Sequence, residues 1–181
     1  MSKPIALSAL IGAASIVVVS LAWAAPQPWA AAFVHPRAFE VFGYYLPSSH
    51  ARVGPYQLDD LSMGGPEEFA AWEAGRRTRT YAPVMLEFSD VRSPMATNEQ
   101  GQRYHTVRIR VLPDSYRVAP GFVEFRGHDA RLGQVILSGG IDAAALARAK
   151  HSNMPLTVVQ AGLEFRGQRI RNVSFIYFAG D

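Results

Sequence analysis

Val123-Glu124-Phe125-Arg126-Gly127 recurs 40 residues later as Leu163-Glu164-Phe165-Arg166-Gly167. In each copy apolar and charged residues alternate, which is the period of a strand with one face on a core and one in water. Val123, Phe125, Leu163 and Phe165 then point inward, and both Glu–Arg pairs point outward. Each copy leads into a second strand-like run, residues 134–138 after the first and 173–178 after the second. Gly127-His128 and Gly167-Gln168 suit two-residue hairpin turns with glycine in the first central place, where a positive φ is needed. The C-terminal 60 residues or so therefore read as two similar hairpins. Similar hairpins in one sheet can converge on similar residues or descend from a duplication, and two copies are too few for a solenoid.

A helix separates the two hairpins. Asp142 is placed to cap the amides of Ala144 or Ala145, Lys150 and His151 fall at the negative end, and Pro155 stops any continuation. An earlier helix is expected from Pro66 to Ala74, with proline in its first turn, Glu67 and Glu68 near its positive end, and Gly75 just beyond it. Phe69 and Trp72 would dock it. The remaining apolar runs are short and β-like: residues 39–42 with 44–46, Tyr56 to Leu61, Val84 to Phe88, and Val107 to Val111. In the last of these apolar residues and arginine alternate strictly. The expected fold is mainly β: a single sandwich or flattened barrel of about eight strands with two short helices.

The N-terminus argues about location. From Ile5 to Ala25 no residue is charged, Lys3 precedes the run, and Ala22-Trp23-Ala24-Ala25 leads into Pro26. These are the parts of a signal peptide, with cleavage after Ala24, or of a retained membrane anchor helix. Either way the rest lies outside the cytoplasm, since the next basic residue after Lys3 is Arg37. The expected organisation is a signal or anchor over residues 1–25, a Pro/Ala-rich tether over 26–37, and a β-rich domain over 38–181. The location is periplasmic or secreted, or anchored to the inner membrane with the domain outside. No cysteine is present, so a core must hold without disulfides, and thiol catalysis and Cys-ligated metals are excluded. A net charge of +3 is too small a surplus to argue for nucleic acid.

Motifs that carry chemistry are sparse. The five histidines, His35, His50, His105, His128 and His151, show no spacing of a helical or strand metal site. Asp59-Asp60 and the loop from Asp90 to Gln102 offer oxygen ligands without the alternating pattern of a calcium loop. Ser62-Met63-Gly64-Gly65 lacks the order of a nucleophile elbow. Glu87, Asp90 and Glu124 sit in or beside strands, where they could line a cleft or simply face water. No catalytic residue, metal or cofactor is assigned. The densest charge is Arg76-Arg77-Thr78-Arg79-Thr80-Tyr81. Arg76, Arg77, Arg79 and Tyr81, with the outward Arg126 and Arg166, are the expected binding residues, for an envelope partner that is protein, glycan or lipid. The leading expectation is thus a non-catalytic binding or accessory module. The alternatives are an envelope hydrolase whose residues meet only in the fold, and a carrier of an apolar ligand.

Overall fold

The computed structural model describes residues 32–152 and 154–180. The expected leader and the first half of the expected tether, residues 26–31, lie outside the described residues. In chain order the strands are β1 (Phe33–Val34), β2 (Gly43–Pro47), β3 (Arg52–Val53), β4 (Tyr56–Met63), β5 (Val84–Asp90), β6 (Met95–Thr97), β7 (Arg103–His105), β8 (Arg108–Val111), β9 (Pro113–Ala119), β10 (Phe122–Asp129), β11 (Gly133–Ile141), β12 (Thr157–Phe165) and β13 (Gln168–Phe178). Helix α1 (Pro66–Glu73) falls between β4 and β5, and α2 (Ala143–Ser152) between β11 and β12.

The protein is mainly β, built on a curled sheet in the form of a half-barrel with two helices. Its order is β1-β9-β10-β11-β12-β13-β2-β4-β5-β8, with β3 added against β4, while β6 and β7 form a separate ribbon. All pairings are antiparallel except β1 with β9. Only Leu112 separates β8 from β9, so the strand at one end of the sheet runs straight into the strand near the other. Gly127 permits that approach: a Cβ there would sit 2.8 Å from Val111 Cγ1 and 3.0 Å from the Phe125 ring.

The concave face carries the core. Leu58, Leu61, Leu86, Phe88, Ile109, Val118, Phe125, Leu137, Leu163, Phe165 and Phe175 are almost wholly buried. Phe88 and Phe165, from distant strands, bring their rings to 5.0 Å between centroids. Val123, Phe125, Leu163 and Phe165 point inward as the repeat requires. Glu124 and Arg126 pair with each other on the outside at 2.9 Å.

Both helices obey their sequence signals. Asp142 Oδ1 accepts the Ala145 amide at 2.8 Å, and the Glu68 carboxylate returns to the Gly65 amide at 2.6 Å to close the start of α1. The Arg76 amide bonds the Ala71 carbonyl and the Gly75 amide that of Trp72, the two bonds of a Schellman close.

The hairpin turns correct the sequence expectation. Gly127-His128 is not a turn: β10 continues through it with a bulge between Arg126 and Gly127, and the chain reverses over residues 130–132. The second turn centres on Arg166-Gly167, one residue earlier than expected, with φ of 51° and 68°. Two positive φ values in a two-residue loop match the twist of the flanking strands. The aromatic run 39–46 is likewise only partly strand, since β2 begins at Gly43. Phe33–Val34, within the expected tether, pairs with β9, and His35 is buried.

Candidate functional site

The convex face of β2, β4, β5 and β8 carries a polar array in place of ordinary solvated side chains. Strand register aligns it in rows: Tyr44 beside Ser62 beside Met85, then Asp60 beside Glu87 beside Arg110, then Gln57 beside Ser89 beside Arg108. A register shift between Leu58 and Asp60 makes Asp59 the extra residue of a bulge. Both adjacent carboxylates thereby reach the same face. Asp59 accepts the Ser89 hydroxyl at 2.5 Å, while Asp60 stands opposite Glu87.

Glu87 is buried although its strand faces outward at that position. Its carboxylate is held by two guanidinium groups: Arg110 reaches Oε2 at 3.1 Å, and Arg108 pairs with Oε1. Arg110 also donates to the Thr80 carbonyl at 3.0 Å, tying the loop after α1 down onto the sheet. That loop turns back on itself through Thr78, whose hydroxyl bonds both the amide and the carbonyl of Tyr81. The Tyr81 hydroxyl then donates to Glu68 at 2.7 Å; burial and this carboxylate push the phenol well above its ordinary range.

Between the sheet and this loop lies a cleft of about 340 Å³. Asp60, Glu87, Arg108, Arg110, Ser62 and Met85 form its floor, Tyr81 one wall, and the exposed rings of Phe42 and Tyr44 its rim. Its size falls in the range of ligand cavities, about 300–1,000 Å³. Asp60 stands apart in it. Burial pushes its carboxyl up to about 6, against the opposing pull of Arg108, with Asp59 adding to the rise. Burial also raises Asp59, which the Ser89 hydrogen bond, Arg108 and His105 oppose. An acid raised this far beside two fixed cations can accept or donate a hydrogen bond near pH 6.

No family model, curated protein or solved structure matches this chain. What the cleft does therefore follows from its own chemistry.

Of the expected binding residues only Tyr81 lines this cleft, while Glu87, Asp60 and Ser62, noted in the sequence for other chemistry, line it as well. Arg76, Arg77 and Arg79 leave α1 exposed. Arg77 is engaged there: its guanidinium lies 4.2 Å over the Phe33 ring and 5.8 Å over that of Trp72, with Nε donating to the Trp72 carbonyl. Arg126 is paired with Glu124, and Arg166 lies over Tyr56 at 5.2 Å from its turn. Among the described residues no group of three or more His, Asp or Glu is arranged to hold a metal ion, and no helix is long and apolar enough to cross a membrane.

Sequence reasoning assigned no role to Arg108 and Arg110 and noted Asp60 only beside Asp59 as an oxygen ligand. The alternation at 107–111 showed that both arginines share one face, and Asp59-Asp60 stood out as a pair. What the sequence lacked was the register that brings β4, β5 and β8 side by side.

Proposed function

We propose that this is an exported, non-catalytic binding module that takes its ligand in the cleft between the convex face of β4, β5 and β8 and the Tyr81 loop. The observation that carries this reading is Asp60: a half-buried carboxyl raised to about 6, set among fixed guanidinium groups and under two exposed aromatic rings. Such convergence of polar groups in a concave site beside apolar surface is how small-ligand sites are built. The leader supports export. A flattened barrel of about eight strands supports the rigidity of the site: β8 and β9, joined through Leu112, act as one bent strand beside the seven long strands β2, β4, β5, β10, β11, β12 and β13. The many phenyl rings filling the concave face weigh against a carrier of apolar ligands.

Hydrolysis is the second reading, favoured by one observation. Asp60 and Glu87 face each other across two strands in different environments, one desolvated and one clamped by two arginines. Paired carboxyls with divergent surroundings can divide acid and base roles.

One experiment separates these readings. Wild type, Asp60→Ala and an Arg76→Ala/Arg79→Ala double variant are screened by thermal shift against neutral glycans, anionic lipids, peptides and amines, and assayed for turnover of nitrophenyl glycosides and esters. The expected result is ligand-dependent stabilisation that Asp60→Ala abolishes, without turnover. Stabilisation lost only in the arginine variant moves the site to the loop, and turnover that depends on Asp60 replaces binding with catalysis.

A further inference from the structure

A second cavity adjoins the cleft. It has a volume of about 600 Å³ and lies between the β6–β7 ribbon and the same convex face. Its walls include Gln57, Asp59 and Ser89 from the sheet and Asn98, Gln102 and Tyr104 from the ribbon. Arg108 lines both cavities, so the two meet across β8. An exposed aromatic ring belongs to each: Tyr44 at 45% exposure in the first, Tyr104 at 41% in the second.

Three features of this groove specify an occupant. The first is charge: Asp59, Asp60 and Glu87 are balanced by Arg103, Arg108 and Arg110 along the two cavities, so the groove favours neither a polyanion nor a polycation. The second is hydrogen-bonding variety. Carboxylates accept, guanidinium groups donate, and the Ser62 hydroxyl and the Gln57 amide do both, which suits a ligand whose own groups both donate and accept. The third is backbone commitment. β4 is paired with β2 and β5, and β5 with β4 and β8, so the centre of the floor offers no free backbone ladder to an extended peptide, and the unpaired backbone edge of the floor is that of β8. A ligand here is met by side chains and aromatic rings, as hydroxyls and the apolar faces of sugar rings are met.

We infer that the groove binds a neutral linear oligosaccharide, with Tyr44 and Tyr104 as stacking platforms at its two cavities and Arg108 between them. The inference rests on the proposed binding role of the cleft and extends it to a ligand class and a minimum length. A chain of one or two sugars fills one cavity, and only a longer one reaches both rings.

The test uses the purified full chain and titrates an array of neutral linear oligosaccharides of one to six sugars, with uncharged peptides of equal length as the second arm. Affinity is expected to rise at least tenfold between the disaccharide and the hexasaccharide of the binding series. Tyr104→Ala, an exposed position whose folding is checked by circular dichroism, is expected to bring the hexasaccharide down to the affinity of the disaccharide. Asp60→Ala is expected to abolish binding of both. Length-independent binding, or a Tyr104→Ala variant that binds the hexasaccharide as wild type does, overturns the extended groove while leaving the cleft as the site. Peptide binding sensitive to Asp60→Ala overturns the saccharide class alone. Failure of every saccharide and peptide overturns the groove as a glycan site, and if the broader thermal-shift screen is equally silent the cleft reading falls with it.

Discussion

Asp60 shows how one bulge residue changes the chemistry of a strand. In an unbroken β4, Asp59 and Asp60 would point to opposite faces and one carboxylate would be driven into the core. The extra residue turns both outward, at the expense of placing two acids side by side in partial burial. The sign of the resulting pH effect follows from the folded value of about 6 against an ordinary 3.8. The native state holds its proton more tightly than the unfolded chain, so Asp60 makes stability fall as pH rises from about 4 to about 6. At pH 7 this group is a net burden of about 1–2 kcal/mol after allowance for solvent at the cleft mouth. Asp60→Asn is therefore expected to be more stable than wild type by that amount at pH 7 and equal to it near pH 4, measured as urea-unfolding midpoints. A variant less stable at pH 7 would mean that the ionised Asp60 is held by Arg108 more strongly than burial opposes it.

At the scale of elements, local signals that act through neighbours in the chain were legible, and those that depend on a partner strand were not. The α2 start is an example of the first kind. Asp142 is the N-cap because its side chain needs only the Ala145 amide three residues on, and Asp142→Ala is expected to cost about 1 kcal/mol by chemical denaturation, with the unfolding slope unchanged. The turns are of the second kind. The two Glu-Phe-Arg-Gly segments look equivalent, yet Gly167 serves a tight turn while Gly127 lies within a strand. The difference comes from outside the repeat: β10 must pass the β8–β9 junction at Leu112, where a Cβ on Gly127 would collide with Val111. No pattern within five residues encodes that neighbour. Inward and outward alternation was readable in β8 for the same reason that its role was not. Facing is a property of one strand, whereas the rows Asp60–Glu87–Arg110 and Gln57–Ser89–Arg108 are a property of three.

On the scale of the whole molecule, the entry of the chain into the folded body is fastened at one titratable point. β1 lies along β9, and Phe33 makes edge contacts with Trp72 of α1 and Tyr116 of β9. His35 follows, buried and stacked on Phe69 with ring centroids 3.8 Å apart. Its Nε2 lies 2.6 Å from the Phe39 carbonyl oxygen. An oxygen of that kind only accepts, so Nε2 carries the proton, and Nδ1 is buried with no hydrogen-bond partner among the described residues. Burial lowers the pKa of the ring, against the opposing influence of the Phe39 carbonyl, Glu73 and Glu40. A histidine held neutral in the native state takes up its proton more readily when unfolded. Its contribution is complete above the unfolded value near 6.5 and is lost as pH falls through that value toward the folded one. Asp60 acts in the opposite direction over part of this range, so wild type alone does not isolate the effect. Comparison with His35→Phe does, because that variant keeps the stack on Phe69 and leaves Asp60 untouched. The variant is expected to be less stable than wild type by about 1 kcal/mol at pH 7.5, through loss of the bond to Phe39, and the gap is expected to close by pH 5. Thermal unfolding of both proteins at the two pH values reads the difference directly. A gap that stays constant would show that His35 takes up its proton as readily in the native state as in the unfolded chain, with Glu73 or Glu40 compensating its burial.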